Sequence, residues 1–182
     1  MTETAADSNL TDPRPADTAL ENRVRAALLA TGEPFEIIAC DPALADTADF
    51  CAAYGYSPDQ SANTIVAIGK SDPPVFVACI VLATTRLDVN GLVRRRLQVR
   101  KASFAPADET AAITGMRIGG VTAFALPPTL PIWVDSEVTR RERLILGGGS
   151  RSIKILCPPR TLLAMPNAIV VDGLANPVVA DR

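Results

Sequence analysis

The stretch IGGVTAFALPPTLPIWVD, from Ile118 to Asp135, constrains the fold more than any other part of the chain. Gly119 and Gly120 follow one another there, and glycine reaches positive φ and lets a ligand approach the backbone closely. Two neighbouring N–H groups in such a turn can converge on one anion or developing oxyanion. Three prolines then stiffen the chain before a strand that closes at Asp135. On this stretch alone, a tight turn between two strands is the favoured interpretation.

A second glycine run favours a binding pocket over a simple turn. Gly147, Gly148 and Gly149 are followed by Ser150, Arg151 and Lys154 in the segment GGGSRSIK. The segment does not fit GxxxxGK[ST] and precedes an apparent strand instead of a helix, so a nucleoside-triphosphate loop is not predicted. A site for one phosphate or a ribose and a hairpin with solvated charges both remain open. Two glycine turns that bracket one strand pair indicate a pocket floored by backbone amides.

The absence of histidine restricts the available chemistry. With none in 182 residues, the Ser-His-Asp and Cys-His triads and the HExxH zinc motif are excluded. The four cysteines include no CxxC pair, so no zinc spacing is present. We expect neither a metal nor a cofactor. Catalysis by this chain must therefore use carboxylates, lysine, hydroxyls, backbone amides, water or the substrate itself.

Net charge and hydropathy restrict the kinds of partner that the chain can bind. The net charge is −2, which argues against non-specific binding to long nucleic acids such as DNA. The basic cluster Arg94, Arg95, Arg96, Arg100 and Lys101 is either a solvated face or a patch that contacts RNA phosphates. No apolar run is long enough to span a membrane, and the polar, acidic N-terminus does not resemble a signal peptide. We therefore expect a cytoplasmic protein with no membrane partner.

The pattern along the chain predicts a disordered tail over residues 1–16 and a single domain over residues 17–182. Leu20, Val24 and Leu28 recur at helical spacing, and the run from Val75 to Ala83 is apolar on both faces, as in a central strand. Strands and helices intermix without regular βαβ alternation, which predicts an α+β domain with a mixed sheet. The predicted helices are Thr18–Thr31, Leu44–Tyr54, Val89–Val99, Pro106–Thr114 and Pro158–Met165. The predicted strands are Phe35–Ala39, Thr64–Ile68, Val75–Ala83, Lys101–Ala105, Leu130–Val134, Arg143–Leu146, Ser152–Cys157 and Ala168–Asp172.

An ordered set of motifs extends this interpretation. The chain reads CDPALADTADFCAAYGYSPDQSANTIV, VLATTRLDVNGL, KASFA, TGMRIGGVTAFALP, LPIWVD and GGGSRSIK in that order. From about Phe35 to Ala175 it resembles the YbaK/prolyl-tRNA-synthetase-associated editing domain family. The resemblance implies a mixed, barrel-like sheet flanked by helices. It also implies a trans-acting deacylase that cleaves the ester of mischarged tRNA, chiefly alanyl- or cysteinyl-tRNA for proline.

The resemblance also implies a mechanism and a set of partners. Members use no side-chain nucleophile: water attacks with help from backbone groups and from the substrate's own ribose hydroxyl, or from the substrate thiol in the cysteine case. The expected partner is the acceptor end of mischarged tRNA, and no cofactor is implied. Because an acidic chain that binds only an acceptor end has little affinity for the rest of the tRNA, an aminoacyl-tRNA synthetase or an elongation factor is a further candidate partner.

The predicted site residues follow from the resemblance and from the two glycine turns. We expect Gly119, Gly120 and Asn63 to bind and polarise the ester. Asp135 either orients a loop or the substrate amine, or is a strand-end cap. The remaining predicted substrate-binding residues are Val121, Thr122, Ala123, Thr64, Gly147, Gly148, Gly149, Ser150 and Lys154.

Two positions depart from the family pattern. The family's GxxxP loop falls on Gly119 through Ala123, so alanine stands in place of the loop proline. Asn63 stands in place of the family's lysine, and asparagine can only form hydrogen bonds. Loss of one oxyanion donor typically costs about 3–4 kcal/mol, and Lys154 is a candidate substitute. Two alternatives therefore remain: a non-catalytic module that binds a tRNA 3′ end or a nucleoside, and a hydrolase of another small ester or thioester.

Overall fold

Residues 15–178 are described by the structure, a computed structural model. The tail predicted over residues 1–16 lies outside the described residues, except that its last two residues begin the first helix. The helices are α1 (Pro15–Ala30), α2 (Thr47–Tyr54), α3 (Arg94–Arg96), α4 (Ala107–Thr114), α5 (Ser136–Thr139) and α6 (Pro159–Leu163). The strands are β1 (Glu36–Ala39), β2 (Ala62–Gly69), β3 (Val75–Leu82), β4 (Thr85–Leu87), β5 (Ala102–Phe104), β6 (Ile132–Asp135), β7 (Leu144–Gly147), β8 (Ile153–Cys157), β9 (Ala168–Val171) and β10 (Ala175–Pro177).

The largest sheet has five strands in the order β5-β2-β3-β6-β9. Strands β2 and β3 form an antiparallel hairpin along their full length, whereas β3, β6 and β9 run parallel to one another. The central strand β3 is buried on both faces from Val77 to Leu82. An apolar run on both faces is what a strand covered by layers on each side requires, and the predicted central position is therefore confirmed.

Two smaller sheets complete the architecture. Strands β1, β8 and β7 form an antiparallel sheet, and β10 pairs with β4. A single parallel bridge between Ser61 and Ile145 brings β7 alongside the start of β2. The predicted mixed α+β single domain is confirmed, but the hydrogen-bonded strands within residues 15–178 do not close into a barrel. The short strands β4 and β10 were not predicted.

Two apolar clusters lie on opposite faces of the five-stranded sheet. One contains Ala78, Ile80 and Leu82 of β3 and is covered by the three-stranded sheet and by α1. The other contains Val77, Cys79 and Val81 together with Leu87 and Val93. In α1, Leu20, Val24 and Leu28 are all buried, as their helical spacing predicts. The helix thus covers one end of the first cluster, next to the second glycine turn.

The helix predicted over Val89–Val99 forms over most of that range. It begins with a π-helical turn at Val89–Val93, which continues directly into the short helix α3. The carboxylate of Asp88 accepts the N–H groups of Gly91 and Leu92 at 2.9 and 2.8 Å. Asp88 is therefore the N-cap of this helical segment. The three consecutive arginines form its last turn.

Candidate functional site

A cavity of about 350 Å³ lies between the start of β2, strands β7 and β8, and the first glycine turn. Apolar side chains such as Phe50, Ile65 and Ile145 line much of its wall. Most of its polar groups are backbone or small side chains, and the exceptions are Lys154 and Asp46. Its lining residues are Ala45, Asp46, Thr47, Phe50, Ser61, Ala62, Asn63, Thr64, Ile65, Val66, Phe104, Ala105, Thr110, Ile118, Gly119, Val121, Ile145, Leu146, Gly147 and Lys154.

One wall of the cavity is an uncovered length of strand edge. Ala83 N donates to Ser61 O on the β3 side of β2. The alternation of an antiparallel ladder therefore points the backbone groups of Thr64 to the opposite edge. On that edge Val66 O accepts from Ala105 N, and β5 pairs only from Ala67 onward. No strand in the described part of the chain covers Thr64, whose Oγ1 is also buried without a hydrogen-bond partner among the described residues.

Asn63 is held by the helix that follows the first short strand. Its Oδ1 accepts a hydrogen bond of 2.9 Å from the hydroxyl of Thr47, the first residue of α2. With Oδ1 engaged, the Nδ2 group is the donor that remains for a ligand. The side chain thus offers a neutral, oriented donor in a cavity that also contains a cation.

That cation is Lys154, which projects from β8 and is 5% exposed. Its Nζ donates to Ala45 O and to Gly119 O and lies 5.5 Å from the centre of the Phe50 ring. Among residues 15–178, no carboxylate lies within ion-pair distance of this ammonium. Burial lowers the pKa of Lys154, an effect that the nearby thiol of Cys40 partly opposes. A buried cation held by carbonyls alone is typical of a functional site.

The first glycine turn differs from its prediction. The N–H of Gly120 donates to Arg117 O at 3.0 Å, so it closes the turn and is not available to a ligand. Gly119 lines the cavity with a φ of +89°, a conformation that favours glycine. The two neighbouring amides therefore do not converge on one point, and the positive charge of Lys154 lies beside the turn instead.

The two glycine turns pack directly against each other. Gly149 N donates to Gly120 O at 2.7 Å. A Cβ atom on Gly120 would lie 2.5 Å from Ser150 O, and one on Gly147 would lie 2.5 Å from Val121 O. Because these neighbours are backbone atoms, they cannot rotate out of the way. Glycine is required at Gly120 and Gly147 by this close approach of two loops.

Arg151 ties the glycine turns to the loop before α2. Its guanidinium donates to Pro42 O and Ile118 O and forms an ion pair with Asp46 at 3.0 Å. This network covers the outer side of Gly119, where an added Cβ would lie 2.0 Å from the Arg151 Nη1. The lip of the cavity is thus fixed by one arginine that joins the loop before α2 to the first glycine turn.

The predicted site residues divide into two groups. Gly119, Asn63, Val121, Thr64, Gly147 and Lys154 line the cavity. The others lie behind that lining or elsewhere: Gly120, Thr122, Ala123, Gly148, Gly149, Ser150 and Asp135. Thr122 and Ala123 are fully buried, and Ser150 donates to Glu21 of α1. These residues therefore support the cavity wall and do not face its interior.

Asp135 has a structural role that matches one of its two predicted alternatives. Its carboxylate accepts the N–H of Glu137 at 2.9 Å and the N–H of Ala175 at 3.0 Å. It caps α5, ties the chain that enters β10 to the end of β6, and does not line the cavity. The geometry therefore supports the role of Asp135 as a strand-end cap and not a contact with the substrate.

Several lining residues were missed by sequence reasoning. Thr47 and Phe50 lie in the segment CDPALADTADFC, whose residues had no assigned role. Phe104 and Ile118 are 48% and 56% exposed at the cavity mouth. In a chain with only 4% aromatic residues, an aromatic residue at the exposed end of a short strand is the signal that could have identified Phe104.

The basic cluster does not line the cavity. Arg94 donates from Nε to Asn90 O, and the guanidinium of Arg96 lies 5.2 Å from the centre of the Trp133 ring. Arg95, Arg100 and Lys101 are exposed. Both predicted alternatives, a solvated face and an RNA-contacting patch, are compatible with this placement.

Two further properties of the described residues concern metals and membranes. Within residues 15–178, no group of three or more His, Cys, Asp or Glu side chains is arranged to hold a metal ion. None of the helices in that range combines the length and apolarity needed to cross a bilayer.

Comparison with known proteins finds one matching family model and solved structures with the same fold. A family model described as the aminoacyl-tRNA editing domain matches residues 41–163. The crystal structure of a proposed trans-editing enzyme for prolyl tRNA synthetase superposes with a TM-score of 0.73 at 22% identity, covering 88% of this chain and 98% of that chain. The hypothetical protein APE2540 gives a TM-score of 0.74 at 24% identity, covering 85% and 99%. At these identities the two structures establish a shared fold.

Proposed function

Because the chain belongs to the aminoacyl-tRNA editing domain family, we propose that it is a trans-acting deacylase that hydrolyses the ester of mischarged tRNA. Alanyl- and cysteinyl-tRNA for proline are the proposed substrates. The observation that carries the proposal is the buried, carboxylate-free ammonium of Lys154 in a cavity that also presents Gly119 and Asn63. Such a cation stabilises the negative charge that develops on an ester carbonyl oxygen.

In the proposed reaction, water adds to the ester carbonyl carbon and the carbonyl oxygen becomes an oxyanion. Lys154 lies beside Gly119 and stabilises that charge, while the Nδ2 of Asn63 donates to the substrate. The ester C–O bond then breaks, and the ribose oxygen that leaves takes up a proton. The chain has no histidine to activate a hydroxyl of the cavity, so the neighbouring ribose hydroxyl of the substrate orients the attacking water and relays its proton to the ribose oxygen that leaves.

The uncovered edge of β2 gives the amino acid its position. The backbone C=O of Thr64 can accept a hydrogen bond from the substrate α-amine, and its N–H is a donor on the same edge. Phe50, Ile65 and Ile145 restrict the remaining space to a small, apolar side chain. Gly147 lines the wall next to them, and the other glycines of its turn support it from behind.

A second candidate is binding without turnover, on the same cavity. Two observations favour it: the N–H of Gly120 is engaged by Arg117 O, and Lys154 already contacts two carbonyls. Fewer donors are then free for an oxyanion than the sequence predicted. The module would hold a tRNA 3′ end or a nucleoside.

A deacylation panel separates the two candidates. Ala-, Cys-, Ser- and Pro-tRNA for proline are incubated with the wild type, with Asn63→Lys and with Lys154→Met, and Lys70→Met serves as a control at an exposed lysine outside the basic cluster. Selective loss of one mischarged species, absent in Lys154→Met and unchanged in Lys70→Met, supports the deacylase. If neither the wild type nor Asn63→Lys accelerates ester loss, the deacylase is wrong and the binding module remains.

The proposed partners follow from the same reaction. The protein would act in the cytoplasm on the acceptor end of tRNA, and an aminoacyl-tRNA synthetase could deliver the mischarged substrate. Affinity capture with tRNA retained, followed by mass spectrometry, tests this association. Recovery without any synthetase would count against such a partner.

A further inference from the structure

Phe104 lies where two separate cavities meet. Its ring lines the mouth of the cavity described above and also lines a second cavity of about 400 Å³. The side chain is 48% exposed, and Ile118, at the same mouth, is 56% exposed. Single exposed apolar side chains are common on protein surfaces, but two of them at the mouth of one cavity offer apolar surface that a ligand can cover.

The second cavity combines an apolar base with polar edges. Leu87 and Val89 are buried beneath it, and its exposed polar residues are Arg86, Asn90 and Asn176. In the described part of the chain, no carboxylate forms an ion pair with Arg86. The one acid in the lining, Asp88, has both carboxylate oxygens bonded to backbone N–H groups. The cavity therefore offers one free guanidinium and two amide side chains.

We propose that the first cavity, Phe104 and the second cavity form one continuous path for the single-stranded 3′ end of an RNA. The base of the terminal nucleotide stacks on Phe104, with Ile118 across the mouth. The preceding nucleotide lies in the second cavity, where Arg86 contacts its phosphate. This inference rests on the proposed function for the position of the esterified end, and it adds a nucleotide site outside the catalytic cavity.

The chemistry of the path favours a nucleotide strand over other occupants. Aromatic side chains bind bases by stacking on their π faces, and arginine pairs with the backbone phosphates. Asn90 and Asn176 carry both donors and acceptors, which match the edges of unpaired bases. A purely apolar partner would leave these three polar side chains desolvated without partners.

Binding to a non-hydrolysable probe tests the path independently of catalysis. The probe is an RNA oligonucleotide that ends in adenosine and carries alanine through a 3′-amide, and its affinity is measured by fluorescence anisotropy. Phe104→Ala is expected to weaken binding about tenfold, and Phe104→Trp to preserve it. Ile169→Ala is the matched control, because Ile169 is 43% exposed on β9, at the opposite edge of the five-stranded sheet.

A second pair of variants tests the phosphate contact. Arg86→Ala is expected to weaken binding of the oligonucleotide and to lower the slope of log affinity against log salt by about one. It should leave binding of the single nucleoside, adenosine with the same 3′-amide, unchanged. Arg160→Ala, which removes an exposed arginine paired with Glu33 on another part of the surface, should affect neither probe.

The outcomes separate this path from the proposed function. Wild-type affinity of Phe104→Ala for the oligonucleotide would overturn the path, whether or not the protein hydrolyses charged tRNA. The expected losses in a protein that hydrolyses no charged tRNA would establish the path and reject the deacylase. If Phe104→Ala leaves RNA affinity intact but reduces self-association in sedimentation, the exposed ring belongs to an interface between copies, and the path is wrong.

Discussion

The floor and the mouth of the cavity differ in how their side chains are held. At the floor, Lys154 contacts two backbone carbonyls, and the glycine turns meet at van der Waals distance. At the mouth, Phe104 and Ile118 are about half exposed. The floor is therefore part of the folded core, whereas the side chains at the mouth contribute little to the stability of the fold.

This difference determines how substitutions should act. A change at the packed glycines of the floor alters the free energy of unfolding, whereas a change at Lys154 alters the chemistry much more than the stability. A change at the mouth alters ligand affinity and leaves the fold intact. The four predictions below test this division from the largest expected effect to the smallest.

Gly120→Val should give the largest loss of stability. The new Cβ would lie 2.5 Å from Ser150 O and 2.8 Å from Gly149 O, both backbone atoms. Overpacking of this kind costs about 3 kcal/mol, measured by urea unfolding. Gly173→Ala is the control, because its Cβ would meet nothing within 4 Å and only the positive φ is strained. Unchanged stability of Gly120→Val would show that the two turns separate easily.

Lys154→Met should separate function from stability within the floor. Methionine keeps most of the length and the contact with Phe50 but removes the charge. Deacylation should fall about 100-fold, while the free energy of unfolding changes by less than about 1 kcal/mol, because a desolvated charge is removed along with its hydrogen bonds. Rates are measured on the substrate that the panel identifies. Wild-type rates in Lys154→Met would remove this lysine from the mechanism.

Asp135→Ala should show the opposite behaviour to Lys154→Met. Two backbone N–H groups, those of Glu137 and Ala175, would lose their acceptor. A loss of about 2 kcal/mol in the free energy of unfolding is expected. The deacylation rate per folded molecule should not change, since Asp135 does not line the cavity. A selective loss of rate in a fully folded variant would restore a role for Asp135 in substrate binding.

The smallest expected effect is the contribution of the buried Lys154 ammonium to the pH dependence of the free energy of unfolding. Burial lowers the folded-state pKa of Lys154 from its ordinary value of 10.5. Between the lowered pKa and 10.5, the unfolded chain binds the extra proton, so this residue makes stability rise with pH. Burial raises the pKa of Cys79 and Cys157 to about 12, which acts in the opposite direction at alkaline pH.

The stability of the wild type relative to Lys154→Met separates the lysine from Cys79 and Cys157, whose raised pKa values do not depend on Lys154. The free energy of unfolding of the wild type should increase relative to that of Lys154→Met as the pH rises from the lowered pKa of Lys154 to 10.5. Parallel unfolding series at several alkaline pH values measure it. A constant difference would indicate that the ammonium is solvated in the folded protein.

Much of the framework could be predicted because it depends on local pattern. Leu20, Val24 and Leu28 are buried at the spacing of one helix face, and β3 is buried on both faces as its apolar run requires. The helix predicted over Val89–Val99 forms over residues 89–96, with Asp88 as its N-cap, but its first turn is π-helical. Hydrophobic periodicity does not distinguish such a turn from regular α-helix.

The site was less predictable because its contacts join distant segments. The prediction that Gly119 and Gly120 present a pair of free amides was wrong for Gly120, whose N–H bonds to Arg117 O. Lys154 could be named as a candidate from its proximity to a glycine turn. Its burial depends on Ala45 and Phe50, which lie about a hundred residues earlier in the chain.

The sequence by itself determined the α+β class, the membership of an editing-domain family and the two glycine turns, since these depend on composition, periodicity and ordered motifs. The tertiary structure alone decided which groups face the cavity. Strand pairing leaves Thr64 on an open edge, assigns Asp135 to a cap and brings Lys154 beside Gly119. The physical reason is that burial and hydrogen-bond partners are properties of neighbours in space, and those neighbours come from segments far apart in the chain.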